Sequence, residues 1–238
     1  MIPILIKKIV ATNYHSLNDF METKGGIYTF LNPVSYLTAL SNKDLFGNFD
    51  GIFADGSLLV AAIKIFYGKQ VIRRSFDMTS LAPELLEYAS NHAKTIYIVA
   101  SKQEQVERAI ELFKERYPNL LFAGYRNGYF ASEEEQNKEA AYITQLNPDF
   151  LIVGMGSLMQ ECFLLKVKKA GYQGIGFTCG GFIHQTSKNE IDYYPEWADR
   201  LNLRFVYRLY KEKHTRKRYL QAAFVFPVRF ICERFFGK

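Results

Sequence analysis

Residues 147–161 decide the fold class of this chain, and they read Asn147-Pro148-Asp149-Phe150-Leu151-Ile152-Val153-Gly154-Met155-Gly156-Ser157-Leu158-Met159-Gln160-Glu161. The apolar run after Asp149 is typical of a central parallel strand that is covered on both faces. Gly154 and Gly156 then allow a tight turn and a close approach of the backbone to a ligand. Ser157 is expected to open a helix, whose first N–H groups lack partners and favour an anion such as a phosphate. The stretch therefore predicts a ligand-binding crevice at the end of a buried strand.

The polar residues of this turn have two interpretations. Ser157-x-x-Gln160 matches a capping box, in which the Gln160 side chain reaches back to the backbone of Ser157. Gly154-x-Gly156 after a strand also resembles a dinucleotide fingerprint. That fingerprint is incomplete, because Met159 stands at the third glycine position and no acidic residue follows at the spacing needed to hold a ribose. A nicotinamide cofactor is therefore not expected.

Size and composition predict one main domain with an appendage. The chain has 238 residues, of which 48% are hydrophobic and 16% aromatic, and such a chain can bury one sizeable core. The three cysteines lack C-x-x-C spacing and the four histidines lack an H-x-x-x-H pair. Neither a structural zinc site nor a disulfide framework is expected.

The N-terminus does not resemble a targeting segment. The short apolar stretch of residues 1–6 precedes Lys7 and Lys8, which is the wrong order and length for a signal peptide. The longest uncharged run, residues 170–187, contains five glycines and is typical of a strand and loop. We therefore expect a cytosolic, reduced location and no transmembrane helix.

The last part of the chain is basic and aromatic. Residues 204–238 hold ten Lys or Arg against two Glu, a net charge of +8, whereas the preceding residues sum to −2 of the total of +6. We predict an α/β domain over residues 1–195 and an appendage over residues 196–238. Mixed apolar and cationic side chains suit an element that lies on an anionic membrane surface. The alternative is a terminal helix that packs on the domain and keeps a solvated basic face.

Strands and helices alternate along the predicted domain. The helix pattern is clearest over residues 102–117, where apolar residues fall on one face and charges on the other. Such alternation predicts an open, mostly parallel, Rossmann-like α/β sheet with helices on both faces and a ligand at the carboxyl ends of its strands. The apolar or β-branched runs that predict strands are residues 27–31, 51–53, 95–100, 120–123, 150–153 and 174–178.

Five short motifs follow one another along the chain: Leu31-Asn32-Pro33, Ala54-Asp55-Gly56, Gly124-x-x-x-Gly128-Tyr129-Phe130, the 147–161 block, and Leu203-Arg204-Phe205-Val206-Tyr207-Arg208-Leu209 with Arg216 and Arg218-Tyr219. In this order they resemble the WecG/TagA/CpsF family of bacterial glycosyltransferases. The resemblance runs from residue 28 to residue 219. It implies transfer of a sugar from a UDP-sugar to a lipid-linked acceptor.

The chain also departs from the motifs of this family. Phe30 stands where the family usually has Thr, Ala54 where it has Pro, and Leu158-Met159 where it has Pro-Lys. Residues 178–186, which include Cys179 and His184, replace the more usual segment at that place. Because this segment is replaced, we expect the donor sugar or the acceptor to differ from those usual in the family.

Asp55 is the candidate catalytic base. It follows the apolar residues 51–53 at the carboxyl end of a predicted strand, and Gly56 would leave its carboxylate accessible. The resemblance implies the same role, since the family's proposed base stands in this motif. The alternative is an Asp-Gly turn ahead of a helix that starts at Ser57.

The remaining candidates divide into two groups. Residues of the turns and helix starts are assigned to donor or acceptor binding: Asn32, Gly154, Gly156, Gln160, Glu161, His184 and Gln185. These assignments have structural alternatives, which are an Asn-Pro turn for Asn32, helix capping for Gln160 and Glu161, and a buried histidine for His184. The resemblance implies that the tail folds over the site, and the planar guanidinium groups there suit phosphate oxygens; these residues are Arg208, Arg216 and Arg218.

The resemblance, taken with the basic tail, implies an inverting glycosyltransferase on the inner face of the cytoplasmic membrane, which transfers a sugar from a UDP donor to a polyprenyl-diphosphate-linked saccharide. The chain contains no D-x-D motif, so we expect neither a metal nor another cofactor. We expect no nucleic acid as partner and leave a homo-oligomer open. Two rival hypotheses remain: a nucleic-acid-binding module that uses the basic tail, and a nucleotide-binding relative that has lost catalysis.

Overall fold

Six parallel strands form the centre of the protein. The structure is a computed structural model, and it describes residues 2–14, 20–21, 25–189, 207, 210 and 216–236. The strands within this part are β1 (Gly26–Leu31), β2 (Gly51–Ala54), β3 (Thr95–Ala100), β4 (Leu121–Arg126), β5 (Phe150–Gly154) and β6 (Ile175–Thr178). Their order across the sheet is β2-β1-β6-β5-β3-β4, and every neighbouring pair is parallel. All six strands predicted from the apolar runs are confirmed.

Helices connect the strands and cover both faces of the sheet, so the predicted α/β class is confirmed. The helix predicted over residues 102–117 begins at Gln103 and ends at Arg116, and it buries the predicted apolar face. The described helices are α1 (Ile4–Ala11), α2 (Pro33–Leu40), α3 (Lys43–Gly47), α4 (Ser57–Tyr67), α5 (Leu81–Asn91), α6 (Gln103–Arg116), α7 (Glu133–Leu146), α8 (Met159–Lys169), α9 (Phe182–Asn189) and α10 (Arg216–Phe236).

Neighbouring residues of the central strands are buried on opposite faces. On β3, Ile96 and Ile98 belong to one apolar cluster, which α5, α6 and α9 cover. Tyr97 and Val99 belong to a cluster on the other face, under α7 and α8. Helices α1 to α4 cover a third cluster beside β1 and β2. Burial on both faces explains why these strands are continuous apolar runs in the sequence.

The C-terminal helix α10 packs on α2 and α4. Phe226 and Phe230 are buried there, and their rings lie 5.6 and 5.3 Å from the Tyr36 ring. Tyr36 Oη donates a hydrogen bond of 2.7 Å to Glu233 Oε2, and Lys43 Nζ lies 3.0 Å from Glu233 Oε1. The tail therefore contains a terminal helix that packs on the domain, which was the alternative to an element lying only on the membrane. The predicted boundary after residue 195 lies outside the described residues and stays a prediction.

Contacts along α10 fix its direction. Phe226 packs on Tyr36 in the first half of α2. Farther along the helix, Arg234 Nε donates a hydrogen bond of 3.0 Å to Phe66 O, near the end of α4. Because α2 and α4 both begin at the carboxyl edge of the sheet, the start of α10 points toward that edge.

The side of α10 that faces away from the domain is apolar. At 100° per residue, five of the six large exposed apolar side chains described on this helix fall within one stripe, roughly opposite to Phe226 and Phe230, and the sixth, Phe236 at the helix end, lies outside it. None of the helices in the described part of the chain is long and apolar enough to span a membrane. The exposed stripe consists of Leu220, Phe224, Val228, Ile231 and Phe235.

Candidate active site

The carboxyl ends of the strands form one edge of the sheet, and several of the predicted site residues lie at or shortly after these ends. The chain leaves β5 toward β6 but leaves β3 toward β4, so its connections diverge between β3 and β5. Ligands of open α/β sheets bind at such a switch point. The residues that follow the strands at this edge are Asn32, Asp55, Ser101, Asn127, Met155 and Cys179.

Asp55 lies beside the turn that follows β1. Its backbone N–H donates a hydrogen bond of 2.8 Å to Leu31 O. Gly56 has φ +101, and a Cβ there would lie 3.5 Å from Pro33 Cδ. Helix α4 begins immediately afterwards at Ser57, so the Asp-Gly turn that was the alternative for Asp55 is present. The half-buried Asp55 is thereby fixed next to Asn32, at the edge where a ligand is expected.

Asn32 caps helix α2. Its Oδ1 accepts hydrogen bonds from the N–H groups of Val34 and Ser35, at 2.9 and 3.0 Å. Ser35 Oγ in turn accepts a bond of 2.9 Å from the N–H of Asn32. This reciprocal cap accounts for the Asn-Pro turn. The predicted contact of Asn32 with a hydroxyl or ribose stays a prediction.

The two glycines after β5 are required for different reasons. A Cβ on Gly154 would lie 2.7 Å from Cys179 Sγ and 2.8 Å from Gly180 O, so its backbone packs closely on the end of β6. Gly156 has open space around it but takes φ +89, a conformation that favours glycine.

Burial raises the pKa of Cys179 to about 12, so this thiol stays protonated at neutral pH.

The N-cap predicted at Ser157 is wrong by one residue. Helix α8 begins at Met159, after Leu158, whose φ is +69. The side chain that reaches back is that of Glu161, whose Oε2 accepts a bond of 2.7 Å from the N–H of Leu158. The predicted capping pair of Ser157 and Gln160 is therefore absent, because the helix starts too late for Gln160 to be its third residue.

Gln160 and Glu161 lie in a buried polar cluster that joins three strands. Gln160 Oε1 accepts a bond of 3.1 Å from the N–H of Gly180, and Gln160 Nε2 donates one of 2.8 Å to Glu161 Oε1. The same Oε1 accepts a bond of 3.1 Å from Thr29 Oγ1, which lies 2.8 Å from Thr178 Oγ1. Burial raises the pKa of Glu161, and these hydrogen bonds oppose that rise. The predicted sugar contacts of both residues stay predictions.

His184 and Gln185 lie in the first turn of α9. This helix begins at Phe182, shortly after β6 ends at Thr178, and it packs on α6. Gln185 is buried, whereas His184 is half-buried. Both residues therefore start from the predicted edge, and their predicted role in donor recognition stays a prediction.

The three arginines predicted to bind diphosphate belong to the C-terminal part of the chain. Arg208 lies outside the described residues. Arg216 and Arg218 are at the start of α10, the end that points toward the carboxyl edge. Within the described residues, no group of three or more His, Cys, Asp or Glu side chains could hold a metal ion.

Comparison with known proteins covers almost the whole chain. The family model described as "Glycosyl transferase WecG/TagA/CpsF family" matches residues 4–238. The chain belongs to this family. It is 32% identical over 219 residues to a Shigella boydii protein named UDP-Gal:alpha-D-GlcNAc-diphosphoundecaprenol beta-1,4-galactosyltransferase, covering 91% of each chain.

A second relative has a different printed activity. It is the Bacillus subtilis protein named N-acetylglucosaminyldiphosphoundecaprenol N-acetyl-beta-D-mannosaminyltransferase, and it is 27% identical over 212 residues. The match covers 84% of this chain and 79% of that protein. As a member of the WecG/TagA/CpsF family, the protein is a glycosyltransferase.

Two motifs of the WecG/TagA/CpsF family are in contact in the fold, the one with Gly128 and the 147–161 block. The motif with Gly128 follows β4, and the N–H of Gly128 donates a bond of 2.9 Å to Ser101 O, after β3. A Cβ on Gly128 would lie 3.0 Å from Met155 Cγ, after β5. The turns after β3, β4 and β5 are therefore packed on one another, which explains the need for glycine at position 128.

Two arginines at this edge, Arg73 and Arg74, were not predicted as site residues from the sequence. Arg73 forms a parallel bridge with Ala54, and the N–H of Arg74 donates a bond of 2.9 Å to Ala54 O. Both arginines therefore run alongside the end of β2, one residue before Asp55. The apolar pair Val71-Ile72 just before them is the signal that could have revealed this short extended segment.

Proposed function

We propose that this glycosyltransferase transfers a sugar, with inversion, from a UDP-sugar to a polyprenyl-diphosphate-linked saccharide in bacterial cell-surface polysaccharide biosynthesis. The printed names of two relatives support the lipid-linked acceptor, since both name a diphosphoundecaprenol compound. One of these names also specifies a UDP-sugar as donor.

The observation that carries the proposal is the position of Asp55 at the carboxyl edge, in the family's motif and next to the Asn32 turn. Inverting transfer needs a base that takes the proton of the acceptor hydroxyl as that oxygen attacks the sugar. A carboxylate at a strand end, with glycine after it, suits this role because an acceptor can approach it. We therefore assign the base to Asp55.

The donor would extend along the edge from Asp55 to the turn after β5. Three strand spacings separate β2 from β5, which is about 14 Å at ~4.8 Å per spacing. An extended nucleoside diphosphate sugar can bridge such a distance. The sugar would then lie near Asp55 and the diphosphate near the glycines that precede α8, since the N-terminus of a helix favours anions.

Cationic side chains would stabilise the leaving diphosphate without a metal ion. Arg73 and Arg74 run beside the end of β2, although Arg74 Nη1 also pairs with Glu84 Oε1 at 2.9 Å. Arg216 and Arg218 start the helix that points toward the same edge. Guanidinium groups present planar donors that match phosphate oxygens, and such donors stabilise the charge that develops on a leaving group.

Helix α10 would hold the enzyme on the inner face of the cytoplasmic membrane. Its exposed apolar stripe suits the hydrocarbon boundary, and the net charge of +8 in residues 204–238 suits anionic head groups. The stripe supports the membrane hypothesis over a solvated basic face, since exposed Phe224 and Phe235 are costly in water.

A panel of UDP-sugars tests the proposed reaction. The purified protein is incubated with each donor, UDP-galactose and UDP-N-acetylmannosamine included, and with an N-acetylglucosaminyl diphosphate lipid. We expect one donor to give a disaccharide diphosphate lipid, detected by mass spectrometry, with free UDP as the second product. Transfer from no donor in the panel, with a folded protein, would overturn the proposal.

A further inference from the structure

The turn between β5 and α8 is held in an unusual backbone conformation. Gly156 has φ +89 and Leu158 has φ +69, so two of its four residues lie in the left-handed region. For a branched, non-glycine residue such as Leu158 this conformation is strained and must be maintained by the surrounding structure. Proline, which stands at this position in the family's motif, has a fixed φ near −65° and cannot adopt it. The conformation of Leu158 must therefore be maintained by contacts within this structure.

Glu161 supplies the contact that holds Leu158. Glu161 Oε2 accepts the N–H of Leu158 at 2.7 Å, directly at the strained residue. The other oxygen, Oε1, accepts Thr29 Oγ1 from β1 at 3.1 Å and Gln160 Nε2 at 2.8 Å. Gln160 is fixed in turn by the N–H of Gly180 after β6. One carboxylate thus ties the turn after β5 to the ends of β1 and β6.

A direct contact between Glu161 and a ligand is disfavoured by its burial. The residue is 3% exposed, and both of its oxygens are occupied by protein donors. The turn itself faces the edge, since Gly156 has open space around it and Met159 is 53% exposed. Glu161 can therefore influence a ligand through the residues that it holds, namely the turn at Leu158 and the Gln160 side chain.

We propose that Glu161 is a positioning residue, whose carboxylate holds the turn of residues 155–158, with positive φ at Gly156 and Leu158, in the conformation that receives the donor diphosphate, without touching the donor. This inference rests on the proposed UDP-sugar donor. It predicts an effect on donor binding that exceeds the effect on the chemical step.

Two substitutions and a rescue test the role. Glu161→Gln keeps the length but offers one acceptor oxygen, so either Leu158 or the Thr29 and Gln160 donors lose their acceptor. Glu161→Asp keeps the charge and both oxygens but is one methylene shorter. We expect each to raise the Kd of UDP and the KM of the donor roughly tenfold or more, with kcat lowered much less.

Leu158→Gly should rescue either variant, because glycine adopts a positive φ without the steric penalty and no longer needs the carboxylate to hold it. We expect most of the lost UDP affinity to return in Glu161→Gln/Leu158→Gly and in Glu161→Asp/Leu158→Gly, measured by calorimetry. Glu111→Gln, in an exposed pair with Arg108 on α6, is the matched control and should bind UDP as wild type does.

Hydrogen exchange of the Leu158 amide can be measured without any UDP-sugar. We expect faster exchange in both single variants, and wild-type melting temperatures would show that the fold persists. Unchanged exchange, unchanged UDP affinity in a folded single variant, or absence of rescue by Leu158→Gly would each overturn the positioning role. If the wild-type protein binds no UDP but exchange of the Leu158 amide still depends on Glu161, the proposed UDP-sugar donor is wrong. The role of Glu161 in holding Leu158 would then still stand.

Discussion

Phe230→Ala is expected to release helix α10 from the domain without unfolding the sheet. The Phe230 side chain is fully buried, and its ring lies 5.3 Å from Tyr36, 5.2 Å from Phe226 and 5.7 Å from Tyr67. These contacts all involve α2, α4 or α10 itself. Among the side chains that the structure describes, none from α10 belongs to the two clusters that cover the centre of the sheet.

The magnitude follows from the size of the buried side chain. Truncation of a buried Phe to Ala typically costs about 3–5 kcal/mol. Even the lower value raises the undocked population of the helix by roughly 100-fold, at ~1.4 kcal/mol per factor of ten. An undocked α10 would also lose helicity, because isolated helices are marginal in water and Pro227 interrupts its hydrogen bonds.

Hydrogen exchange with mass spectrometry measures this release directly. We expect faster exchange in peptides that cover residues 216–236, with little change in peptides from β3 and β5. Phe224→Ala is the matched control, since the same residue type lies on the same helix but is 78% exposed. That variant should keep the exchange protection of α10 and instead bind anionic vesicles less tightly. The reasoning fails if both variants change exchange equally, or if Phe230→Ala leaves it at the wild-type level.

Four other expectations are open to test. Asp55→Asn should lower the transfer rate by about 10²–10⁴-fold while UDP affinity is kept, and a rate within about threefold of wild type would exclude Asp55 as the base. EDTA should leave the rate nearly unchanged; complete loss that magnesium or manganese restores would contradict metal-independent transfer. Deletion of residues 204–238 should abolish vesicle binding and slow transfer to a soluble acceptor analogue. Added salt should weaken vesicle binding of the full chain, because exposed charges are screened within ~10 Å at about 0.1 M. If the truncated protein transfers to the analogue at the full rate, the tail is only a membrane anchor. Gly154→Ala should lower the melting temperature, since its Cβ would meet Cys179 Sγ at 2.7 Å, whereas Gly47→Ala, whose Cβ would lie 3.8 Å from Ile4 Cγ1, should not; equal melting temperatures would refute the close packing.

The elements of the fold could be predicted because their signals are local. Each central strand is buried on both faces, so β3 and β5 appear as unbroken apolar runs of the right length. Helix α6 has an apolar face at helical spacing and a charged face toward water. The carboxyl edge then follows from parallel strands, and Asn32, Asp55 and Gly154 lie along it at the ends of β1, β2 and β5.

The shape of the site could not be predicted because it depends on contacts between distant residues. The bond between Thr29 and Glu161 joins residues that are 132 positions apart, and a capping pattern alone gives no sign of it. The pattern instead favoured Ser157 as the helix start, because Leu158 in a left-handed conformation has no sequence signal. Arg74 was missed for a related reason: a single backbone bond to Ala54 brings it beside the site.

The direction of α10 determines how the enzyme would meet its lipid-linked acceptor. Helices that follow parallel strands run antiparallel to them, and α10 lies along two such helices, α2 and α4. If its exposed stripe rests on the bilayer, the strands lie roughly parallel to the membrane plane. The edge with Asp55 then opens sideways along the membrane surface and not into it. An acceptor could enter and its product leave by lateral diffusion, with the prenyl chain in the bilayer throughout, so successive turnovers would not require the enzyme to detach.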